Sequence, residues 1–439
     1  MSKIIVAGGG HGGIVAAALL AKGGLDVTVY EKNKREDMGY DWTDIFNRHS
    51  LKAAGMDMPP ENKYSVKTDV TFYGPSERNP FVQRSPKNQP EIKMERRDIY
   101  DHIIAYAEQY GVKFEYGVTV KSAECLGNRV VGINTDKGTF YGDLIIDACG
   151  CNSPVRRSLP YSCGIQRDMG PYEKFYCYRA FYNRINKDYP AEEFKLTLFP
   201  HGIHGIGWVM AEGEWADVLV GKFEPFQKGE VKEFVDYLRT INPIIGKKKV
   251  RGGQYAEIPV RQSLAVMTAD GYAAIGDSAF MTIPLLGSGM ANAFKAAAIL
   301  ADVVLKDEAK AYSRETLWEY QYTYYKKVTN TCAPLAALNN LLVNITPEQI
   351  DGLFECDVEA VRQKISKLNK FTEKDQVKDF LEILLILKNA SKDRALKAEL
   401  STSFKKIAKL SLLISQMPKT YSENEVLSWA QKYNRIFKL

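Results

Sequence analysis

The chain opens on a short apolar strand, Lys3-Ile4-Ile5-Val6-Ala7, that runs without a spacer into Gly8-Gly9-Gly10-His11-Gly12-Gly13. Gly8, Gly10 and Gly13 complete the pattern G-x-G-x-x-G. Residues 14–22 are rich in Ala and Leu and predict a helix, which Gly23-Gly24 stops. A second strand, Asp26-Val27-Thr28-Val29-Tyr30, ends on the acid Glu31. Each part has a physical task. Gly8 allows the tight turn out of the strand, Gly10 leaves room for a pyrophosphate beside the backbone, and Gly13 lets helix and strand pack closely. The helix N-terminus offers unpaired N–H groups and the positive end of its dipole to phosphate oxygens. Glu31, at the second strand end, is placed to hold ribose hydroxyls. The start of the chain is therefore a dinucleotide-binding βαβ unit. A secretory signal is the competing reading of Lys3 and the apolar stretch, but the glycine cluster and the strand after it contradict that. His11 is read as a tolerated position in the turn, with donation to a phosphate oxygen as the alternative.

The remaining composition narrows the class. At 439 residues the chain is long enough for two or three packed units. No apolar run reaches the roughly 18–20 residues that span a bilayer. Seven Cys without a C-x-x-C pair predict neither a disulfide framework nor a zinc site, so no metal is expected and a cytoplasmic setting is. The net charge of +6 permits an anionic substrate or membrane surface without requiring either, and no nucleic-acid partner is expected.

The dinucleotide unit looks interrupted. Residues 64–84 alternate weakly, and Pro75, Pro80, Pro86 and Pro90 cut that region into short pieces. A helix with Ile99, Ile103, Ile104 and Ala107 on one face runs from Arg96 to about Tyr110, and Gly111 ends it. Strand-like runs follow to Asp147. Residues 161–261 are aromatic and alternating, residues 271–275 return to α/β character, and residues 312–439 read as nearly all helical. The expected fold class is α/β: a discontinuous Rossmann-like domain over 1–60, 91–160 and 262–310, an inserted β-sheet-rich substrate domain over 61–90 and 161–261, and a helical C-terminal region over 311–439.

Two further signatures belong with the first. Asp270-Gly271-Tyr272-Ala273-Ala274-Ile275-Gly276-Asp277-Ser278-Ala279 is an apolar strand ending in Gly-Asp. Pro284-Leu285-Leu286-Gly287-Ser288-Gly289 then opens a small-residue helix. A carboxylate at a strand end accepts hydrogen bonds from hydroxyls of a bound dinucleotide, and the glycine turn presents N–H groups to negative charge. A plain strand–loop–helix corner with Asp277 as N-cap is the alternative. The other signature is Asp147-Ala148-Cys149-Gly150-Cys151-Asn152-Ser153-Pro154-Val155-Arg156.

Together with Pro259-Val260-Arg261, these motifs resemble one flavoprotein superfamily, which holds the p-hydroxybenzoate-hydroxylase-like FAD monooxygenases, the geranylgeranyl reductases, the flavin halogenases and the lycopene cyclases. The resemblance covers about residues 1–310. Cys149 departs from it, standing where Asp or Thr is usual. The resemblance implies that Gly8, Gly10, Gly13 and Glu31 hold the ADP half of FAD, that Arg97 (with Arg96 competing) contacts the pyrophosphate side, and that Asp277 sits at the pyrophosphate or ribityl chain. Pro284, Gly287 and Gly289 would bring a helix N-terminus to the flavin N1/O2 edge, where a positive dipole end favours reduced flavin.

The geranylgeranyl-reductase branch fits best and implies reduction of double bonds in an apolar, prenyl-type substrate. Phe199-Pro200 resembles part of its lipid-pocket motif, though Leu196-Thr197-Leu198 stands where an aromatic-x-Trp is expected. The branch's early-loop cysteine is missing between residues 32 and 60, and the halogenases' Trp-x-Trp motif is absent. An aromatic monooxygenase using NAD(P)H and oxygen is the alternative, and a non-redox flavin-binding protein the second. No second G-x-G-x-x-G unit serves NAD(P)H, so the electron donor is either a visiting nicotinamide or another external donor. No catalytic acid or base stands out. His201 and His204 flank the turn near Phe199-Pro200, and Phe175, Tyr176, Tyr178, Phe181 and Tyr182 are read equally as pocket wall or core. Cys149 and Cys151 are read as packing residues. Lys405, Lys406, Lys409 and Lys419 give the tail a basic cast suited to solvent, or to peripheral contact with anionic lipid.

Overall fold

The structure is a computed structural model and describes residues 2–85, 91–189, 191–284, 286–356, 361, 363–364 and 376–436. The breaks expected at Pro86 and Pro90, and Leu285 in the second glycine turn, lie outside the described residues.

Strand Lys3–Ala7 is the centre of a six-stranded sheet. It pairs in parallel with Asp26–Glu31 on one side and with Leu144–Asp147 on the other. Lys113–Tyr116 extends one edge; Tyr272–Ala274 and then Thr268–Ala269 extend the other. Ile4, Ile5, Val6 and Ala7 are all fully buried, which is why the run is continuously apolar rather than alternating. Helices His11–Lys22 and Met290–Lys306 pack against each other on one face. This sheet is assembled from chain segments far apart in sequence, as a doubly wound α/β fold requires.

Two inserted pieces build a seven-stranded sheet, ordered Ile245–Pro259, Lys174–Arg184, Trp215–Lys222, Gly205–Glu212, Phe194–Leu198, Val70–Tyr73, Phe81–Gln83. The weak alternation of residues 64–84 divides between two sheets. Val70–Tyr73 and Phe81–Gln83 join this one, whereas Tyr64–Val66 pairs with Glu91–Glu95 beside Thr43–Asn47. Helix Glu230–Ile241 covers one face, meeting Tyr178, Ala180 and Tyr182. The period of two sends Phe175, Cys177 and Arg179 to the opposite face, where the cavity lies.

Beyond residue 312 the described residues contain helices and no strand. Helices Pro334–Asn344, Gln376–Ala390 and Arg394–Ser415 bury Leu341, Leu384, Leu400 and Ile407 in one cluster with Phe199. The tail therefore packs on the inserted sheet through Phe199, as well as on the Rossmann-like core through Trp429 and Tyr433. Among the described residues no helix is long and apolar enough to cross a membrane.

Candidate cofactor and substrate site

Ala148 is the point on which the glycine turn rests. A Cβ on Gly8 or on Gly10 would lie 2.8 Å from the Ala148 carbonyl oxygen, and a Cβ on Gly13 would lie 2.5 Å from the Ala148 Cβ. Gly8 also has φ +86°, a conformation that L side chains rarely adopt. The fold therefore already requires glycine at Gly10, before any pyrophosphate is considered. The resulting turn is tight, and Glu31 braces it: its carboxylate accepts from the Gly9 N–H at 2.6 Å and the Asn33 N–H at 2.8 Å.

Asp147 ties the second and third motifs together. It is fully buried. One oxygen accepts from the Cys149 N–H and the Ser278 hydroxyl, both at 3.0 Å, and the other from Ser153 at 2.6 Å and Tyr272 at 2.8 Å. Four donors on one carboxylate hold the Cys149–Gly150 turn against the Gly276–Ala279 turn. Arg156 locks the same corner by donating to the carbonyls of Ser278 and Cys151, both at 2.6 Å. Sequence alone marked Asp147 only as part of a motif; the hydroxyls that converge on it come from its own motif and from the Asp270–Ala279 segment.

These turns line one end of a cavity of about 640 Å³. Gly10, His11, Gly13, Gly150, Asp277, Gly287 and Gly289 form its polar wall. Gly287 has φ +66°, and Gly289 caps helix Met290–Lys306 without a side-chain hydrogen bond, so that helix end has backbone N–H groups to offer. Asp277 accepts from the Thr282 hydroxyl at 2.8 Å, and burial pushes its carboxyl pKa upward. Pro284 is buried behind the turn and, with Gly8 and Glu31, supports the wall without forming part of it.

Of the two arginines, Arg96 lines the cavity and Arg97 is exposed. Arg96 donates to both oxygens of Asp44, at 2.6 and 2.8 Å, and its guanidinium lies 4.4 Å from the Tyr40 ring centre. Burial alone would raise the Asp44 pKa, but the paired guanidinium holds it below the usual carboxylate range. The distinction was available in the sequence: Arg96 precedes Ile99 by three and Ile103 by seven, on the buried stripe, and Arg97 sits about 100° around the helix.

The other end of the cavity is apolar, walled by Phe194, Leu196 and Phe199 of the insert and by Leu341, Leu384 and Leu400 of the C-terminal helices. Phe199 is buried with φ +49°, a strained position for an aromatic residue and one that recurs at functional sites. His204 stacks on it at 4.6 Å, but neither His201 nor His204 lines the cavity. Of the five aromatics on strand Lys174–Arg184, only Phe175 does. Cys149 and Cys151 bond to the carbonyls of Ala7 and Glu257 and stay off the wall, and burial raises both thiol pKa values, Cys151 to about 12. Cys177 does face the cavity, and burial raises its thiol pKa to about 12 as well, so it is not poised as a thiolate. No group of three or more potential metal ligands occurs among the described residues.

The wall fits a flavin dinucleotide on two observations. A Cβ on Gly150 would meet nothing within 4 Å, so open space stands over that turn. His11 also brings a buried nitrogen without a partner to the same wall.

Residues 6–50 match the NAD(P)-binding Rossmann-like domain family. The chain is 23% identical over 381 residues to a digeranylgeranylglycerophospholipid reductase of Haloferax volcanii, covering 80% of this chain and 88% of that protein. It is 26% identical over 402 residues to the reductase of the same name from Thermoplasma acidophilum, covering 83% and 96%. The fold matches a geranylgeranyl bacteriochlorophyll reductase-like protein from Thermoplasma acidophilum with TM-score 0.73 at 20% identity, over 89% of this chain and 99% of the other. It also matches PqsL of Pseudomonas aeruginosa, described as a probable FAD-dependent monooxygenase, with TM-score 0.59 at 19% identity, over 81% and 99%. The chain is thus similar in sequence to reductases of this name, and it shares its fold with a geranylgeranyl bacteriochlorophyll reductase-like protein and a probable FAD-dependent monooxygenase.

Proposed function

We propose that the chain binds FAD across its interrupted domain and reduces carbon–carbon double bonds of a prenyl lipid. The observation that carries this reading is the single cavity that joins the glycine turns to an apolar arm closed by the C-terminal helices. Bound there, FAD would supply hydride chemistry. Gly8, Gly10, Gly13 and Glu31 would shape the ADP end, with Arg96 rather than Arg97 on the cavity side. Asp277, Gly287 and Gly289 would meet the flavin end, and the helix dipole behind Gly289 would favour negative charge on it. The apolar arm would bind the prenyl chain and exclude water from the reacting bond. Electrons would come from outside the chain: the described residues hold a single nucleotide-binding unit of this type.

The test is anaerobic. The flavin-loaded protein is reduced with dithionite and mixed with a geranylgeranyl glycerophospholipid. Reoxidation of the flavin, with a lipid mass gain of two hydrogens per reduced bond, supports the reading. Inertness toward the lipid, together with oxygen uptake tied to turnover of a phenolic substrate in a separate aerobic assay, would instead make the chain a monooxygenase. A flavin that no donor reduces would leave a binding protein.

The arm itself can be probed. Leu384→Trp, on its helical wall, is expected to raise KM for a geranylgeranyl lipid by about tenfold while leaving flavin content unchanged, as expected where added bulk consumes pocket volume.

A lipid substrate also implies contact with a bilayer surface. Lys405, Lys409 and Leu412 are exposed on one face of helix Arg394–Ser415, an arrangement suited to the interface of an anionic membrane. Sedimentation with phosphatidylserine vesicles should fall by about half or more in K405E/K409E; equal sedimentation would remove the tail from the membrane contact.

A further inference from the structure

Four basic residues stand on the cavity wall: His11, Lys67, Arg96 and Arg179. Three are already paired, Lys67 with Glu91, Arg96 with Asp44 and Arg179 with Asp217. A dinucleotide brings two negative charges on its diphosphate, and these ion pairs have no net charge to set against them. His11 is different. It is the first residue of helix His11–Lys22, whose N-cap Gly10 makes no side-chain hydrogen bond and whose first turn holds no acid. Its Nε2 is buried and without a partner, an arrangement that native folds seldom leave unexplained. Its ring is held against Tyr100, with centroids 4.5 Å apart.

We infer that His11 is a proton-coupled anchor for the cofactor diphosphate: Nε2 donates a hydrogen bond to a diphosphate oxygen, and binding draws one proton from solvent onto the imidazole. This rests on the FAD reading above and goes beyond the glycine turn, in which the motif assigns no role to this position.

The surroundings support coupling rather than a fixed charge. Burial, and then the field of Arg96, hold the imidazole neutral, with its pKa lowered to about 4; Asp44 opposes this only in part. The other titratable groups nearby are committed. Glu31 accepts from two backbone N–H groups, Tyr40 accepts from Arg96, Asp277 accepts from Thr282, and burial keeps the Tyr100 phenol protonated. A diphosphate beside the ring supplies the opposite charge that favours imidazolium. The sign follows by linkage. Free His11 is deprotonated above about pH 4, and bound His11 stays protonated up to its raised pKa. Over that window affinity for the diphosphate falls as pH rises, by at most about tenfold per pH unit.

The test titrates apoprotein with FAD, ADP and riboflavin, with calorimetry in two buffers of different ionisation enthalpy. FAD and ADP should each bind roughly tenfold more weakly at about pH 8 than at about pH 6, with close to one proton taken up near the lower pH and about a tenth of one near the higher, and riboflavin should show neither effect. H11Q should lose both the pH dependence and the proton uptake, and H11R, with a permanent cation, should bind FAD tightly at both pH values. The inference fails if H11Q keeps the native affinity and pH profile, or if riboflavin shows the same dependence as FAD. Failure of the native apoprotein to bind FAD at all would overturn the FAD reading instead.

Discussion

Gly13→Val should strip the protein of flavin. The new Cβ would stand 2.5 Å from the Ala148 Cβ and 2.9 Å from Val6, in a buried core where Val6 lies in strand Lys3–Ala7 and Ala148 directly follows the parallel strand paired with it. Neither strand can yield without breaking the sheet, so the helix His11–Lys22 must lift. Overpacking of this kind destabilises by about 1–3 kcal/mol. The larger consequence is geometric. The lifted helix carries its N-terminal N–H groups and His11 away from the diphosphate, and the loss of aligned donors should weaken FAD binding by about a hundredfold, close to 3 kcal/mol. Equilibrium titration of apoprotein measures it directly. A Gly13→Val protein that stays yellow through gel filtration, with native affinity, would show that the turn does not position the cofactor. Ala148→Leu should produce the same loss from the opposite side, because Ala148 is the surface against which Gly8, Gly10 and Gly13 all rest.

The second large effect is on stability. Arg179 and Asp217 form an ion pair with side-chain exposures of 2% and 0%, linking adjacent strands of the seven-stranded sheet. Nε of Arg179 donates to Asp217 at 2.8 Å, and Nη1 donates to the Thr43 carbonyl at 2.6 Å. The guanidinium also lies 5.4 Å from the Trp42 ring centre and 5.2 Å from that of Trp208. It thus ties the insert to strand Thr43–Asn47, on the cofactor side of the cavity. Asp217→Ala leaves a buried cation without its anion and should cost about 3–5 kcal/mol. Replacing both members, as in R179M/D217L, removes the uncompensated charge and should recover at least about half of that loss. Urea unfolding of the native protein, R179M, D217L and R179M/D217L forms the cycle, with Asp217→Ala measured beside it. A double variant no more stable than Asp217→Ala would mean that the contacts of Arg179 with Thr43 and the tryptophans, rather than the ion pair, hold the two sheets together.

The motifs were legible because the chemistry of a dinucleotide turn is local. A strand, a tight turn and a helix start within some thirty residues carry Gly8, Gly10, Gly13 and Glu31, and the structure sets these on one corner of the sheet. The same holds for residues 276–289, where the helix opening at Met290 follows directly from the small residues before it. The family resemblance points to Arg97 with Arg96 competing, because both open the same helix. Only the phase of that helix separates them, and the apolar stripe through Ile99 and Ile103 shows it.

Other features were set by segments distant in sequence. Ala148 serves the glycine turn from about 140 residues away, because strands Lys3–Ala7 and Leu144–Asp147 are paired in register. The split of the aromatics on Lys174–Arg184 depends on which face helix Glu230–Ile241 covers, which alternation alone cannot state. The helical tail carries an apolar pattern that says only that it packs. Its wall of Leu341, Leu384 and Leu400 along the cavity exists because three helices converge on Phe199. The sequence by itself determined the nucleotide-binding corner, because phosphate recognition uses backbone groups within one turn. The tertiary structure alone decided the shape of the apolar arm, because that surface is made of side chains that meet only after the insert and the tail have folded onto each other.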